Sequence, residues 1–363
     1  MHSATAKNNC HIQLDIQLKA RLPEGENLFI TGNLPELGSW DPSGKPLKEI
    51  APNRFKVEIN TEPGSIIECK LTRGSWKTQG IYAANDIPPS NLVIKAVSDK
   101  KIPVTIIDWL DQQVTESDPV VGKLLTFNNL IAPGLRYQRP VQVWIPAGIK
   151  PEAVIYMHDG QNLFEPSAAF AGVDWKVDET MTELMAKKQI RNCMVVAIPN
   201  SPDRMQELNL FTDPGSAYAN FIVDQVKPFI DENFEISPLP ENNFIMGSSM
   251  GGLMSFQMAY FMPHIFGGAG CISSAFGKTD GKIFDLVEKH AFIPGNLKLY
   301  LDTGEYEPPI VKSYFKMMKL LKERGFIEGH NLMGYFDEKA THCEAAWARR
   351  LALPLKFLLM SQK

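Results

Sequence analysis

Over the first hundred positions, apolar and polar residues alternate in short runs: His11 to Ala20, Leu28 to Thr31, Arg54 to Ile59, Ile66 to Leu71 and Asn91 to Ala96. Turn residues separate them, as in Pro23-Glu24-Gly25, Gly32-Asn33-Leu34-Pro35 and Glu62-Pro63-Gly64. Short strands at this spacing, with hardly any helical periodicity, predict a small immunoglobulin-like β-sandwich. After about residue 115 the pattern changes. Strands are expected at Lys123 to Phe127, Val141 to Ile145, Ala153 to Met157, Met194 to Ile198, Asn243 to Met246, Gly268 to Ile272, Leu297 to Leu301 and Leu332 to Phe336. Helical stretches fall between several of them: Trp175 to Lys188, Ala217 to Asn233, Gly252 to Phe261 and Ile310 to Arg324, with a final helix at Ala345 to Met360. Such alternation predicts an α/β domain, a mostly parallel sheet covered by helices on both faces. We therefore expect an all-β domain over residues 1–105 and an α/β domain over residues 106–363.

Composition narrows the class of function. Hydrophobic residues make up 44% and charged residues 21% of the 363, enough to bury a sizeable core. The 37 basic and 41 acidic residues leave a net charge of −4, which gives no reason to expect nucleic acid or an anionic membrane as partner. No apolar run approaches the ~18 residues needed to span a bilayer. The segment from Met1 to Asn9 lacks the apolar stretch of a secretory signal. The five cysteines Cys10, Cys69, Cys193, Cys271 and Cys343 are scattered and odd in number, as expected of free thiols in a reducing cytoplasm. A secreted protein trimmed of its leader would read the same way. Oligomeric state stays open.

Gly247-Ser248-Ser249-Met250-Gly251 has the Gly-x-Ser-x-Gly form, which chance alone would place in about one chain in ten of this length. Its context carries more. An apolar run, Asn243 to Met246, precedes it, and a helical stretch opens at Gly252. A serine on so sharp a strand-to-helix turn is the nucleophile elbow of the α/β-hydrolase fold, and Gly247, Gly251 and Gly252 supply the room it needs. Ser249 is the candidate nucleophile. The amide of Met250, at the helix start, is a candidate oxyanion donor. A second should come from the loop after an early strand, where Gly160 permits the turn and aims the Gln161 amide. There His158 reads as a loop anchor, and Asp159 either braces the loop or meets a substrate hydroxyl.

A serine hydroxyl needs a base, and the base an orienting acid, both after residue 249 in this fold. Among His264, His290, His330 and His342, only His342 follows the last strand on a loop at its carboxyl end, where parallel sheets place their chemistry. Asp302, Glu305 and Glu307 all lie at or beyond the end of the preceding strand, and spacing does not choose among them.

Several motifs in order over about residues 120 to 360 resemble the esterase family that includes esterase D, enterochelin esterases, feruloyl esterases and the mycolyltransferases. They are Tyr156-Met157-His158-Asp159-Gly160-Gln161-Asn162-Leu163-Phe164, Gly172-Val173-Asp174-Trp175, Lys227-Pro228-Phe229-Ile230-Asp231, the serine motif, Pro263-His264-Ile265-Phe266-Gly267 and Thr341-His342-Cys343-Glu344-Ala345-Ala346-Trp347. The resemblance implies a Ser–His–acid triad and an oxyanion hole from Gln161 and Met250. In relatives the acid falls three residues after the glycine that follows this strand, which from Gly304 gives Glu307. Ser273-Ser274-Ala275-Phe276 departs from the Ser-Pro-Ser-aromatic of relatives, leaving local pocket shape open. Residues 10 to about 100 resemble a starch-binding carbohydrate module through Ile30 to Trp40, Ile67-Glu68-Cys69-Lys70 and Gly74-Ser75-Trp76. Trp40, Lys70 and Trp76 occupy the positions of one glycan site in that family. Lys77-Thr78-Gln79-Gly80 stands where relatives carry a Glu, and the two tryptophans could equally pack within the sandwich.

The expectation is a serine carboxylic-ester hydrolase working through an acyl-enzyme on a polar ester, such as an acylated carbohydrate or siderophore, with no metal or organic cofactor. Two alternatives stand beside it: an acyltransferase to a sugar hydroxyl, and a glycan-binding protein whose hydrolase domain is vestigial.

Overall fold

Cys10–Leu18 buries every second side chain (Cys10, Ile12, Leu14, Ile16 and Leu18) and turns the others outward, the signature of a strand covered on one face. It pairs antiparallel with Arg54–Thr61 and parallel with Lys100–Ile106, and Glu49–Ala51 completes this sheet. A second sheet runs in the order Lys45–Pro46, Phe29–Gly32, Ile66–Thr72, Leu92–Lys95. Ile12, Leu14 and Ile16 of the first sheet share one core with Ile30, Ile67 and Leu71 of the second. Each such side chain, fully buried, contributes about 1.5–3 kcal/mol. This is the expected sandwich.

The computed structural model describes residues 9–84, 89–112, 120–290 and 295–360. The chain divides into two units, residues 1–117 and 118–363. Sequence alone suggests a boundary at 105. The first unit runs on because Asp108–Trp109 pairs with Gly80–Ile81 and Trp109 is wholly buried in the sandwich core.

In the second unit we number the strands of the central sheet β1 (Lys123–Phe127), β2 (Val141–Ile145), β3 (Ala153–His158), β4 (Cys193–Ile198), β5 (Asn243–Ser248), β6 (Gly268–Ile272), β7 (Lys298–Gly304) and β8 (Leu332–Asp337). Their order is β1-β2-β4-β3-β5-β6-β7-β8. β2 runs against both its neighbours, and every pairing from β4 to β8 is parallel. All six residues of β3 are buried: Val154 and Tyr156 enter the core on one face, Ala153, Ile155 and Met157 the core on the other. A strand apolar on both sides needs helices on both sides.

The main helices are α1 (Val177–Ala186), α2 (Asp213–Asn220), α3 (Lys227–Phe234), α4 (Met250–Phe261), α5 (Lys282–Lys289), α6 (Pro308–Glu323), α7 (Glu344–Arg350) and α8 (Ala352–Leu358). α2 to α6 pack on one face of the sheet, and α1, α7 and α8 on the other. The expected helix Ala217 to Asn233 is interrupted by a π-turn at Phe221–Val226, where Lys227 N–H reaches back to Ile222 O. Pro228 has no N–H to keep the α-helical ladder going there. The expected final helix divides at Leu351, between α7 and α8, because Pro354 cannot donate to the carbonyl of Arg350. Sheet order and helix placement are those of an α/β-hydrolase-like fold. The carboxyl ends of β3, β5, β6, β7 and β8 open on one edge of the sheet.

Candidate active site

Ser249 stands between β5 and α4 with φ 56° and ψ −116°, a conformation costing a non-glycine residue about 1–3 kcal/mol. Its backbone is pinned on both sides: its N–H donates to Ile272 O at 2.9 Å, and its carbonyl accepts from Ala275 N at 2.9 Å. The turn is tight enough that a Cβ on Gly252 would lie 2.5 Å from Ser274 Oγ and 2.9 Å from Ile272 O. At the first position of α4, the Met250 amide has no intrahelical acceptor. A Cβ on Gly251 would lie 3.1 Å from His158 Cβ and 3.4 Å from Asp159 Oδ2, so the elbow rests directly on the loop that carries Gln161. Asp159 takes φ 55° to turn the chain into the short helical turn Gly160–Asn162.

His342 Nε2 lies 2.9 Å from Ser249 Oγ, and His342 Nδ1 lies 3.4 Å from Glu307 Oε2. Two loops produce this alignment. Glu305 N–H donates to Asp337 O and Tyr306 N–H to Ala340 O, which joins the segment after β7 to the segment after β8. Glu307, the residue just before α6, is thereby turned inward and buried, while His342 keeps a partly exposed edge. Trp347 meets the His342 ring edge-on at 4.9 Å.

The three carboxylates that spacing could not separate have different surroundings. Asp302 belongs to β7 and is held by Arg350 through Nε at 2.9 Å and Nη2 at 3.0 Å, and by Ser273 N–H at 2.8 Å and Tyr300 OH at 3.0 Å. Burial raises its pKa, with Arg350 opposing. Glu305 is exposed and accepts from Lys339 N–H. Glu307 faces the imidazole. Behind it stands a set of residues that sequence reasoning missed. Ser273 Oγ donates to Glu307 Oε1 at 2.9 Å while accepting from Arg350 Nη2 at 2.6 Å and Trp347 Nε1 at 3.1 Å. Arg350 also reaches Asp337 Oδ2 at 3.1 Å. The visible signal was Trp347 and Arg350, three residues apart and on one face of α7 after the histidine.

His158 is fully buried, its Nδ1 2.8 Å from Tyr218 OH, and burial drives its pKa down to about 4, so it is neutral at pH 7. Asp159 is gripped by Arg204 through Nε at 2.6 Å and Nη2 at 2.7 Å and by Asn200 Nδ2 at 2.6 Å. These contacts brace the loop. A second buried ion pair, Arg139 to Glu207 with both bonds at 2.7 Å, lies next to Tyr218. Among the described residues, no His, Cys, Asp or Glu group is arranged to hold a metal ion, and no helix is long and apolar enough to cross a membrane.

In the first unit, Trp40 and Trp76 are half-buried neighbours with ring centroids 6.5 Å apart at 37°. Lys70 is buried, and its ammonium donates to Gln79 Oε1 at 2.5 Å and to the Pro89 carbonyl.

Residues 134–358 match a family model described as "Putative esterase", and residues 9–86 match the starch binding domain. The chain belongs to this esterase family and is a carboxylic ester hydrolase preceded by a starch-binding-type domain. The Bacillus subtilis (strain 168) protein YbbA, itself uncharacterized, is 21% identical over 224 residues, covering 56% of this chain and 84% of its own. Enterochelin esterase from Shigella flexneri has a similar fold (TM-score 0.58, 13% identity, 92% of this chain and 87% of that one). So does a ferulic acid esterase (TM-score 0.54, 16% identity, 66% and 98%).

Proposed function

We propose that Ser249, His342 and Glu307 form the catalytic triad of this esterase, with the amides of Met250 and Gln161 as its oxyanion hole. The observation that carries the proposal is the 2.9 Å approach of His342 Nε2 to Ser249 Oγ, with Glu307 behind Nδ1. His342 takes the hydroxyl proton as Ser249 Oγ attacks the ester carbonyl, and the two amides hold the resulting oxyanion. As the tetrahedral intermediate collapses, the C–O bond to the alcohol breaks and the alcohol leaves with the proton from His342. Water, deprotonated by His342, then attacks the acyl-enzyme and releases the acid and Ser249. Glu307 keeps Nδ1 protonated and stabilises the imidazolium.

The substrate proposed is a polar ester, an acylated carbohydrate or siderophore. Family membership, a starch-binding-type domain and enterochelin and ferulic acid esterases among proteins of similar fold support this range. Trp40 and Trp76 offer neighbouring apolar ring faces suited to the CH faces of a sugar, and Lys70 is the third residue of the proposed glycan site. A panel of p-nitrophenyl and sugar esters tests the chemistry: Ser249→Ala should lose at least about 10³-fold in kcat. Full activity in that variant would refute the triad. Gel retardation by amylose tests the first unit and should disappear in Trp40→Ala. Transfer products formed with a sugar acceptor would instead mark an acyltransferase.

A further inference from the structure

We propose that Arg204 and Glu344 form the substrate's alcohol-side binding pair, specific for a neutral polyhydroxyl group such as a sugar. This rests on the esterase reading above and names the substrate class of that same site. Arg204 uses Nε and Nη2 to hold Asp159. The Asp159 carboxylate in turn lies 3.4 Å from the position a Cβ would take on Gly251, two residues past Ser249. The guanidinium is therefore fixed beside the elbow. Its side chain is 26% exposed, and Nη1, the nitrogen left over from the grip on Asp159, is accessible with no hydrogen-bond partner among the described residues. Planar and already oriented by two bonds, that edge can donate to a ligand at little entropic cost.

Glu344 comes from the other wall. It opens α7 two residues after His342, is half-buried, and lies within electrostatic reach of His342, Asp159 and Arg204. Burial pushes its carboxyl up to about 7, against the lowering influence of His342 and Arg204. Arg204 thus holds the loop carrying the candidate oxyanion donor Gln161, and Glu344 stands two residues from His342.

Charge decides what this pair prefers. The single positive charge of Arg204 is balanced by ionised Asp159, whose own pKa is lowered, and Glu344 adds between zero and one negative charge near neutrality. A free carboxylate on the substrate would meet no net positive charge and would approach two carboxyl groups. Hydroxyl groups fit better, because each both donates and accepts: one accepts from Nη1 while its neighbour donates to Glu344.

The test compares three acetyl esters with different alcohols: a monoacetylated glucose, methyl acetate, and acetoxyacetate, which carries a carboxylate. Arg204→Lys keeps the charge against Asp159 but lacks the second edge of the guanidinium. It should lower the ratio of kcat/KM for the sugar ester to that for methyl acetate about tenfold, and Glu344→Gln about threefold. Unchanged ratios in both variants would overturn the proposal, as would a loss concentrated on acetoxyacetate, which would mark an anion site. Should Arg204→Lys fail to fold, Glu344→Gln decides alone. Failure of the esterase reading itself looks different: wild type would hydrolyse none of the three esters, or Ser249→Ala would hydrolyse them all.

Discussion

Asp302, Glu305 and Glu307 lie within six positions of one another, yet folding gives them three different chemical settings. Substituting each tests the assignment. Glu307→Gln should lower kcat by at least about 10²-fold, because His342 loses the partner that fixes its tautomer. Glu305→Ala should leave kcat within about twofold, since that carboxylate is exposed and accepts from a loop amide. Asp302→Ala leaves Arg350 buried and short of its main counter-ion, and should destabilise the fold by about 3–5 kcal/mol in urea titrations. A wild-type rate for Glu307→Gln would return the role to the other two. His158 gives a pH prediction. Its pKa of about 4 in the fold lies below the ordinary 6.5, so between those values the unfolded chain binds the extra proton. Its contribution is complete above pH 6.5 and lost as pH falls toward 4, about 3 kcal/mol in total. Urea midpoints at pH 7.5 and 5 should differ less in His158→Asn than in wild type, and equal differences would exclude His158 as the source.

Elements were legible in the sequence wherever one local pattern determined them. All eight strands of the central sheet fall where apolar runs predict them, and the elbow follows from glycines on either side of a serine. What was not legible depended on prolines hidden inside apolar periodicity or on partners distant in the chain. The π-turn at Phe221–Val226 and the break at Leu351 follow from prolines whose effect a continuous apolar periodicity conceals. Trp109 extends the first unit because of a pairing with Gly80 that no local pattern announces. The support of Glu307 by Ser273 and Arg350 joins residues 34 and 43 positions from it, and sequence reading treated Ser273 only as a matter of pocket shape. The elbow makes its own prediction. In Gly252→Ala the added methyl meets Ile272 O, the acceptor for Ser249 N–H. Stability should fall by about 1–3 kcal/mol and kcat with it. A variant that matched wild type in both melting and turnover would mean that the turn has slack.

Across the whole molecule, the five cysteines provide a check on both units together. All are free; Cys10, Cys69, Cys193 and Cys271 are buried, and Cys343 is partly exposed. Burial pushes the thiols of Cys69 and Cys193 up to about 12 and that of Cys271 well above its ordinary value, so they resist thiolate-dependent reagents. A colorimetric disulfide reagent should titrate about one thiol per native chain, and all five only after denaturation. Modification at Cys343, next to His342, should abolish ester turnover in step with labelling. Labelling of several thiols in the native protein would mean that one of the three cores holding them is looser than its packing implies.

The backbone angles of Ser249 have a consequence for how such a protein changes over generations. The fold holds Ser249, the proposed nucleophile, in a conformation that glycine adopts freely, so replacing it by glycine relaxes the chain. Drift toward a silent but sturdier descendant is energetically downhill, and demand for turnover is what keeps the serine in place. Among descendants that keep this architecture, an elbow reading Gly-x-Gly-x-Gly would mark those in which that demand has lapsed.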